Sequence, residues 1–287
     1  MDTSDTSTPV PTPASPPLRL TAEQTSAVDK AMDYIRSEPL SHGGKPYFVI
    51  AGYAGTGKTT IINELVSEIE RASMVPTVLT PTGKAASVLQ SKGVKARTIH
   101  SFCYSFTGDD EQGKPTFSFD GFSRAKRVVL IDEASMVDEK ILGDLLSTQT
   151  ILILVGDQGQ LPPVSRDPKI LKDADVTLKT IHRQALESPI LRFAHLVREG
   201  TPVMSAAMQN IDCYPTFQVA MDRFAYMGIP DPMVIVGTNG YRHRVNEMAH
   251  DPSSETEKIC ILRNAPQHGL FNGQVMTVRV LNRDDLG

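Results

Sequence analysis

The densest chemistry in this sequence lies in Gly52-Tyr53-Ala54-Gly55-Thr56-Gly57-Lys58-Thr59-Thr60, which follows the apolar run Tyr47-Phe48-Val49-Ile50-Ala51. The spacing fits G-x-x-x-x-G-K-[ST], a loop whose backbone N–H groups close around a polyphosphate. Gly52, Gly55 and Gly57 admit backbone conformations closed to other residues and let the main chain come close to the anion. Lys58 adds a point charge toward the outer phosphates, and the Thr59 hydroxyl is placed to ligate a magnesium ion. Thr56 and Thr60 complete the set expected to line the nucleotide. A helix beginning near Lys58, with Ile61, Ile62, Leu65, Val66 and Ile69 on one face, would present its partly positive N-terminus to the same site. The cofactors expected are ATP and Mg2+.

Carboxylates that suit such a site stand at Asp132 and Glu133, directly after Val128-Val129-Leu130-Ile131. Four consecutive apolar residues predict a strand buried on both faces, and its carboxyl end is where ligands bind in open α/β sheets. In P-loop enzymes a carboxylate at this place holds the metal, commonly through water, and its neighbour orients or deprotonates the attacking water. The expected roles are Asp132 for the metal and Glu133 for the water.

A further buried run, Ile151 to Val155, leads into Gly156-Asp157-Gln158-Gly159-Gln160-Leu161-Pro162-Pro163-Val164. Gln160 is placed there to touch a γ-phosphate and report its loss to a neighbouring segment. Beyond it, Leu178-Lys179-Thr180-Ile181-His182-Arg183-Gln184 offers Arg183 to stabilise charge on the transferring phosphoryl group. An arginine acting in that way is worth about 10³–10⁵ in rate.

Two other segments gather small hydroxyls with cations and rings: Pro81-Thr82-Gly83-Lys84-Ala85-Ala86 and Arg97-Thr98-Ile99-His100-Ser101-Phe102. Such groups suit phosphate contacts and base stacking along a single strand, so Pro81, Thr82, Lys84, Thr98, His100, Ser101 and Phe102 are the candidate strand contacts. Two roles are open to Gln24. With Thr21 it forms the capping-box pattern S/T-x-x-E/Q, and a glutamine just upstream of a P-loop strand is also placed to hydrogen-bond the edge of an adenine.

To position these groups the chain must alternate strands and helices, the βα rhythm of a parallel sheet. Residues 1–17 form a Ser/Thr/Pro-rich tail with too little apolar surface to order, and order is expected from residue 18. Between residues 103 and 126, aromatic and polar residues alternate around a Gly/Asp/Pro-rich centre, which predicts a hairpin leaving the main sheet. A helix is expected from Ser188 to Glu199, with Ile190, Leu191, Ala194 and Val197 in the core and Gly200 as its stop. Residues 201–231 read as a connecting segment. A new strand is expected at Met233 to Asn239, a helix from Gly240 to His250, and an alternating strand after the turn at Asn272-Gly273.

Composition excludes several classes. The 29 basic residues against 33 acidic leave no global positive field, so a nucleic acid must be held in a local groove. Three scattered cysteines and seven histidines form neither a disulfide framework nor a zinc spacing, and a reduced, cytoplasmic setting follows. No apolar run approaches the ~20 residues of a membrane helix, and the amino end carries no signal-peptide pattern, so no membrane partner is expected.

Taken in order, these motifs resemble the amino-terminal motor half of a superfamily 1 DNA helicase of the RecD/Dda-like, 5′-to-3′ class, from about Leu18 to Arg283. Leu20 to Gln24 matches the adenine-reading segment, Gly52 to Thr60 the P-loop, and Pro81 to Ala86 with Thr98 to Phe102 the single-strand contacts. Leu130 to Ser135 matches the metal and water motif, Gly156 to Val164 the coupling loop, and His182-Arg183-Gln184 the first arginine. The resemblance implies an α/β P-loop NTPase with a RecA-like parallel sheet flanked by helices, spanning residues 18–200. It also implies a pin or wedge at residues 103–126, and the start of a second RecA-like lobe and its SH3-like insertion at residues 232–287. The implied activity is ATP-driven movement on single-stranded DNA with duplex unwinding. The alternatives are a DNA-stimulated ATPase that does not unwind and a non-enzymatic remnant that binds ATP or single-stranded DNA. Partners implied are single-stranded and duplex DNA, with association with the nucleoid in a cell. No segment up to Gly287 matches the later second-lobe motifs, so a downstream or separate polypeptide is expected to supply them.

Overall fold

Apolar runs too short for helices and rich in branched side chains pair edge to edge in this chain. The computed structural model describes residues 20–39, 44–109, 115–122, 127–160, 163, 169–181, 188–200, 217–227, 234–249, 256–260 and 275–279. Strands β1 (Tyr47–Gly52), β2 (Val75–Thr80), β3 (Ala96–Thr98), β6 (Arg127–Ile131), β7 (Ile151–Gly156) and β8 (Val176–Leu178) form one six-stranded sheet in the order β3-β2-β6-β7-β1-β8. Every pairing in it is parallel.

Because side chains alternate along a strand, each strand feeds two cores. Phe48 and Ile50 of β1, with Val128, Leu130, Ile153 and Val155, join the cluster that holds the buried faces of α1 (Ala22–Arg36), α2 (Lys58–Arg71) and α3 (Gly83–Ser91). Val49, Val129, Ile131, Leu152 and Leu154 point the other way, to α4 (Ile99–Cys103) and α5 (Glu139–Ser147). In α2 the stripe Ile61, Ile62, Leu65 and Ile69 is fully buried, and each side chain contributes about 1.5–3 kcal/mol. That packing fixes the helix whose first turn carries Lys58 and Thr59.

The expected hairpin forms. Strands β4 (Tyr104–Asp109) and β5 (Pro115–Phe119) pair antiparallel with a register shift between Phe106 and Gly108. Its root is tied to the sheet domain by the Tyr104 hydroxyl, which donates to Asp144 Oδ2 at 2.7 Å. Farther out, Phe106 and Phe117 meet edge to face, 5.9 Å between centroids, and both rings are exposed.

Beyond the sheet the structure describes helices α6 (Pro189–Arg198), α7 (Phe217–Tyr226) and α8 (Asn239–Ala249), and an antiparallel pair β9 (Thr256–Cys260) and β10 (Val275–Arg279). Two expectations fail here. Residues 234–236 form no strand, and Ile235 is 89% exposed; among the described residues no segment pairs with them, and a strand exists only in a ladder. Helix α6 forms, with Gly200 at a positive φ after it, yet it buries no residue: Ile190 is 71% and Val197 45% exposed. Its apolar spacing suits a helix but names no surface to cover it.

Candidate active site

Among the described residues, the strand-end segments singled out by chemistry emerge at the carboxyl edge of the parallel sheet. Side by side along it lie the loops after β3, β2, β6, β7, β1 and β8. The segments expected to contact a single strand therefore occupy one half of the edge, the P-loop the other, and Asp132 and Glu133 stand between them.

The P-loop takes the turn its glycines allow. Gly55 and Gly57 both hold φ +84°, and Gly57 is the N-cap of α2. At Gly52 the requirement is space: a Cβ there would sit 2.7 Å from Thr56 Oγ1 and 3.0 Å from Leu178 Cβ. Thr56 is buried, and its hydroxyl donates to the Tyr53 carbonyl at 2.8 Å. Lys58 Nζ donates to the carbonyls of Gly52 at 2.8 Å and Tyr53 at 3.2 Å. Burial lowers the pKa of Lys58, while Asp157, Glu133 and Asp132 act to raise it. The ammonium thus feels three carboxylates and the opposing charge of Arg198 while it donates to two carbonyls.

Asp132 is buried, and its backbone N–H donates to the Leu79 carbonyl at 3.0 Å, which locks the end of β6 to β2. Its Oδ1 accepts the Glu133 N–H at 3.0 Å. Burial, and secondly the charge of Glu133, push its carboxyl from the ordinary 3.8 up to about 6. Glu133 itself holds φ +54° and ψ +40°, a left-handed conformation that a residue with a side chain adopts at a cost of about 1–3 kcal/mol. Its Oε2 is buried without a hydrogen bond among the described residues. A strained backbone and a buried carboxylate oxygen without a hydrogen bond among the described residues fit a group meant to receive a water.

The donor set also fits magnesium. Among the described residues no cluster of three or more His, Cys, Asp or Glu could cage an ion. Mg2+ does not need one, since it is held by one or two protein oxygens together with phosphates and waters. Thr59 and Asp132 are the residues that would hold it.

The coupling loop is joined to this centre. Ser135 Oγ donates to Gln160 Oε1 at 3.1 Å, and Asp157 Oδ1 accepts the Gly159 N–H at 2.8 Å. Tyr53, Ser135, Gln160 and Leu171 are among the residues that line a cleft of about 300 Å³ here. Arg183 lies outside the described residues, as do Leu161, Pro162 and Val164. Leu178, at the end of β8, packs against the P-loop, and the N–H groups of Lys179 and Thr180 are held by Glu23 at 2.9 and 3.1 Å.

Gln24 forms the capping box with Thr21, and its amide also donates to the Thr56 carbonyl at 3.2 Å. Helix α1 is thereby clipped to the P-loop at one end and to the β8 exit through Glu23. On the other half of the edge Pro81 and Thr82 follow β2, and Thr82 caps α3 while Lys84 projects from its first turn. Thr98 caps α4 by accepting the Ser101 N–H. His100 stacks on Tyr104 at 5.1 Å, and burial beside it lowers the imidazole pKa. The guanidinium groups of Arg97 (5.2 Å) and Arg127 (5.5 Å) lie over the Phe102 ring, which packs on Phe122. His100 and Ser101 thus form the more accessible part of this surface, while Thr98 and Phe102 are half-buried.

Sequence reasoning passed over Asp157, Tyr53, Glu23 and Arg198. Asp157 had a visible signal, a carboxylate directly after a buried strand. Arg198 had none: it reaches Asp157 from 41 positions away, off the end of an amphipathic helix.

Comparison with known proteins agrees with this geometry. A family model described as an AAA domain matches residues 19–214. The chain is 28% identical to the ATP-dependent RecD2 DNA helicase of Deinococcus radiodurans over 190 residues, 63% of this chain and 24% of that protein. It is 32% identical to the ATP-dependent DNA helicase dda of Enterobacteria phage T4 over 151 residues, 50% of this chain and 33% of the relative. The chain thus spans about a quarter to a third of the length of these curated relatives. A solved Pif1 helicase structure covers 92% of this chain and 72% of its own with a TM-score of 0.51 at 20% identity, which extends the agreement to the fold. With P-loop, paired carboxylates and the loop after β7 on one parallel-sheet edge, and with that match over most of its length, the chain belongs to the AAA domain family.

Proposed function

We propose that this chain is the ATP-binding motor lobe of a DNA helicase that couples ATP hydrolysis to 5′-to-3′ movement along single-stranded DNA and to separation of the duplex. One observation carries the proposal. The orphaned carboxylate oxygen of Glu133 stands between the P-loop and the strand-contact loops on a single sheet edge. In this reading the P-loop N–H groups and Lys58 bind the phosphates, and Gln24 lies on the adenine side. Glu133 orients the attacking water and accepts its proton. Magnesium, when bound, neutralises charge on the outer phosphates. Gln160, tied to Ser135, senses the γ-phosphate, and Arg183 approaches the same group. Thr82, Lys84, Thr98, His100 and Ser101 grip the strand, and the β4–β5 hairpin parts the duplex. Residues from 232 onward open a second lobe, completed by a downstream or separate polypeptide. The relatives named above support this assignment, as does the motif order.

The test uses the chain joined to its second lobe. Turnover of ATP should rise with single-stranded DNA, and Glu133→Gln should lower it by about 10²- to 10⁴-fold, the usual contribution of a general base, while nucleotide affinity stays near wild type. Lys58→Ala should lose nucleotide binding itself. A 5′-tailed duplex should be separated in preference to a 3′-tailed one. Turnover that ignores DNA would refute the helicase assignment, and DNA-stimulated turnover that separates neither duplex would leave a translocase or simple ATPase. Nucleotide binding without turnover would identify a non-enzymatic remnant.

A further inference from the structure

The Arg198 side chain is engaged by the P-loop and the coupling loop at once. Nη2 donates to Asp157 Oδ2 at 3.3 Å, and the guanidinium lies over the Tyr53 ring, 4.6 Å from its centroid. Nε and Cζ fill the space above Gly159, where a Cβ would come within 2.8 and 3.1 Å of them. Gln158 reaches the Tyr53 hydroxyl at 3.4 Å from the same loop. The arginine side chain keeps 27% of its exposure, whereas that of Asp157 keeps 1%.

The buried carboxylate is a problem for an anion-binding site. Asp157 and Arg198 both act on Lys58, the carboxylate raising its pKa and the guanidinium lowering it. A full negative charge taken out of water beside the lysine competes with phosphates for its ammonium and repels them through a medium that screens poorly. Arg198 supplies the opposite charge, in a fork that fits a carboxylate and on a flat face that stacks on a ring.

We propose that Arg198 is a positioning residue for nucleotide binding: by pairing with Asp157 and stacking on Tyr53 it neutralises the buried carboxylate, clamps the coupling loop to the P-loop, and leaves Lys58 to the phosphates of a nucleoside triphosphate. The proposal rests on the ATP-binding reading above and is distinct from any contact made by Arg183. It makes Asp157 and Arg198 a neutral unit whose two halves must be kept or lost together.

The experiment titrates the full chain with the magnesium complex of a fluorescent N-methylanthraniloyl-ADP and compares wild type with Arg198→Ala, Arg198→Lys and the double variant Asp157→Asn/Arg198→Ala. Loss of one partner of a buried charge pair leaves the other uncompensated, so Arg198→Ala should bind about tenfold or more weakly. Arg198→Lys, which keeps charge without fork or flat face, should fall between. The double variant, neutral again, should recover most of the lost affinity. In the nucleotide-free protein, hydrogen exchange at Gly159 and Gln160 should quicken in Arg198→Ala. Wild-type affinity in Arg198→Ala, or unchanged exchange in that loop, would overturn the proposal. So would a double variant as weak as the single, which would mean that the arginine serves the phosphates directly. A wild-type chain that takes up no nucleotide would instead overturn the ATP-binding reading, because the proposal fails by itself only where wild type binds.

Discussion

Asp132 should be a site where function costs stability, and the size of that cost follows from the structure. Its carboxyl is buried beside Glu133 and titrates at about 6 in place of 3.8. At about 1.4 kcal/mol per tenfold, holding it ionised in the folded nucleotide-free chain costs about 3 kcal/mol. Asp132→Asn removes the charge and keeps an oxygen that can accept the Glu133 N–H. The variant should therefore be more stable than wild type at pH 7.5 by up to about 3 kcal/mol, or about 6–12 °C in Tm for a domain of 150–250 residues.

The pH dependence is the sharper signature. The folded pKa lies above the unfolded one, so the penalty is present in full above pH ~6, shrinks as the pH falls through that value, and is gone below ~4, where both states are protonated. The difference in Tm between Asp132→Asn and wild type, measured by calorimetry in matched buffers, should close over that window. Mg·ATP should reverse the order at pH 7.5, because wild type gains by mass action while the variant lacks the carboxylate expected to hold the metal. A variant no more stable than wild type at pH 7.5, or a stability gap constant from pH 8 to pH 4, would refute the reasoning.

Two other perturbations separate packing from function. Gly52→Ala places a methyl against Thr56 Oγ1 and Leu178, and should lower stability by about 1–3 kcal/mol and weaken nucleotide binding. Equilibrium unfolding and nucleotide titration check both effects. Phe106 and Phe117 are 61% and 46% exposed on the hairpin, so replacing both with alanine should change Tm little. In a chain joined to its second lobe the same double change should slow separation of a tailed duplex while DNA-stimulated ATP turnover persists.

How much of this was legible in the sequence depends on the range over which each feature is determined. The P-loop, the capping box at Thr21 and Gln24, the stripe of α2 and the apolar strands β1, β6 and β7 are local patterns, and all form as expected. Strand β3 contains Arg97 and Thr98 and is only three residues long; its pairing with β2 creates it, and no local signal announces it. Residues 234–236 are the converse case, a strand-like run that no described neighbour pairs. At the site, residue types named Lys58, Asp132 and Glu133, because the chemistry limits the choice. The left-handed backbone of Glu133 and the stacking of Arg198 on Tyr53 are products of tertiary packing, and spacing alone does not encode them.

Strand order also constrains how the two halves of the sheet edge can communicate. From β3 to β1 there are four strand steps, about 19 Å at 4.8 Å per step, too far for one side chain to touch both the strand-contact loop and the P-loop. The links that the structure makes are shorter and run through the middle. The Asp132 N–H binds the β2 carbonyl of Leu79, and Thr80 Oγ1 binds the Thr82 carbonyl at the head of α3. On the other side Ser135 holds Gln160, and Arg198 binds Asp157 to Tyr53. Strand β6 is therefore the shared support: its carboxyl end is bonded to β2 at Leu79 and, through Ser135, to Gln160 in the loop after β7. If the proposed roles hold, no signal need pass along a chain of side chains, because the same strand end supports both halves of the edge.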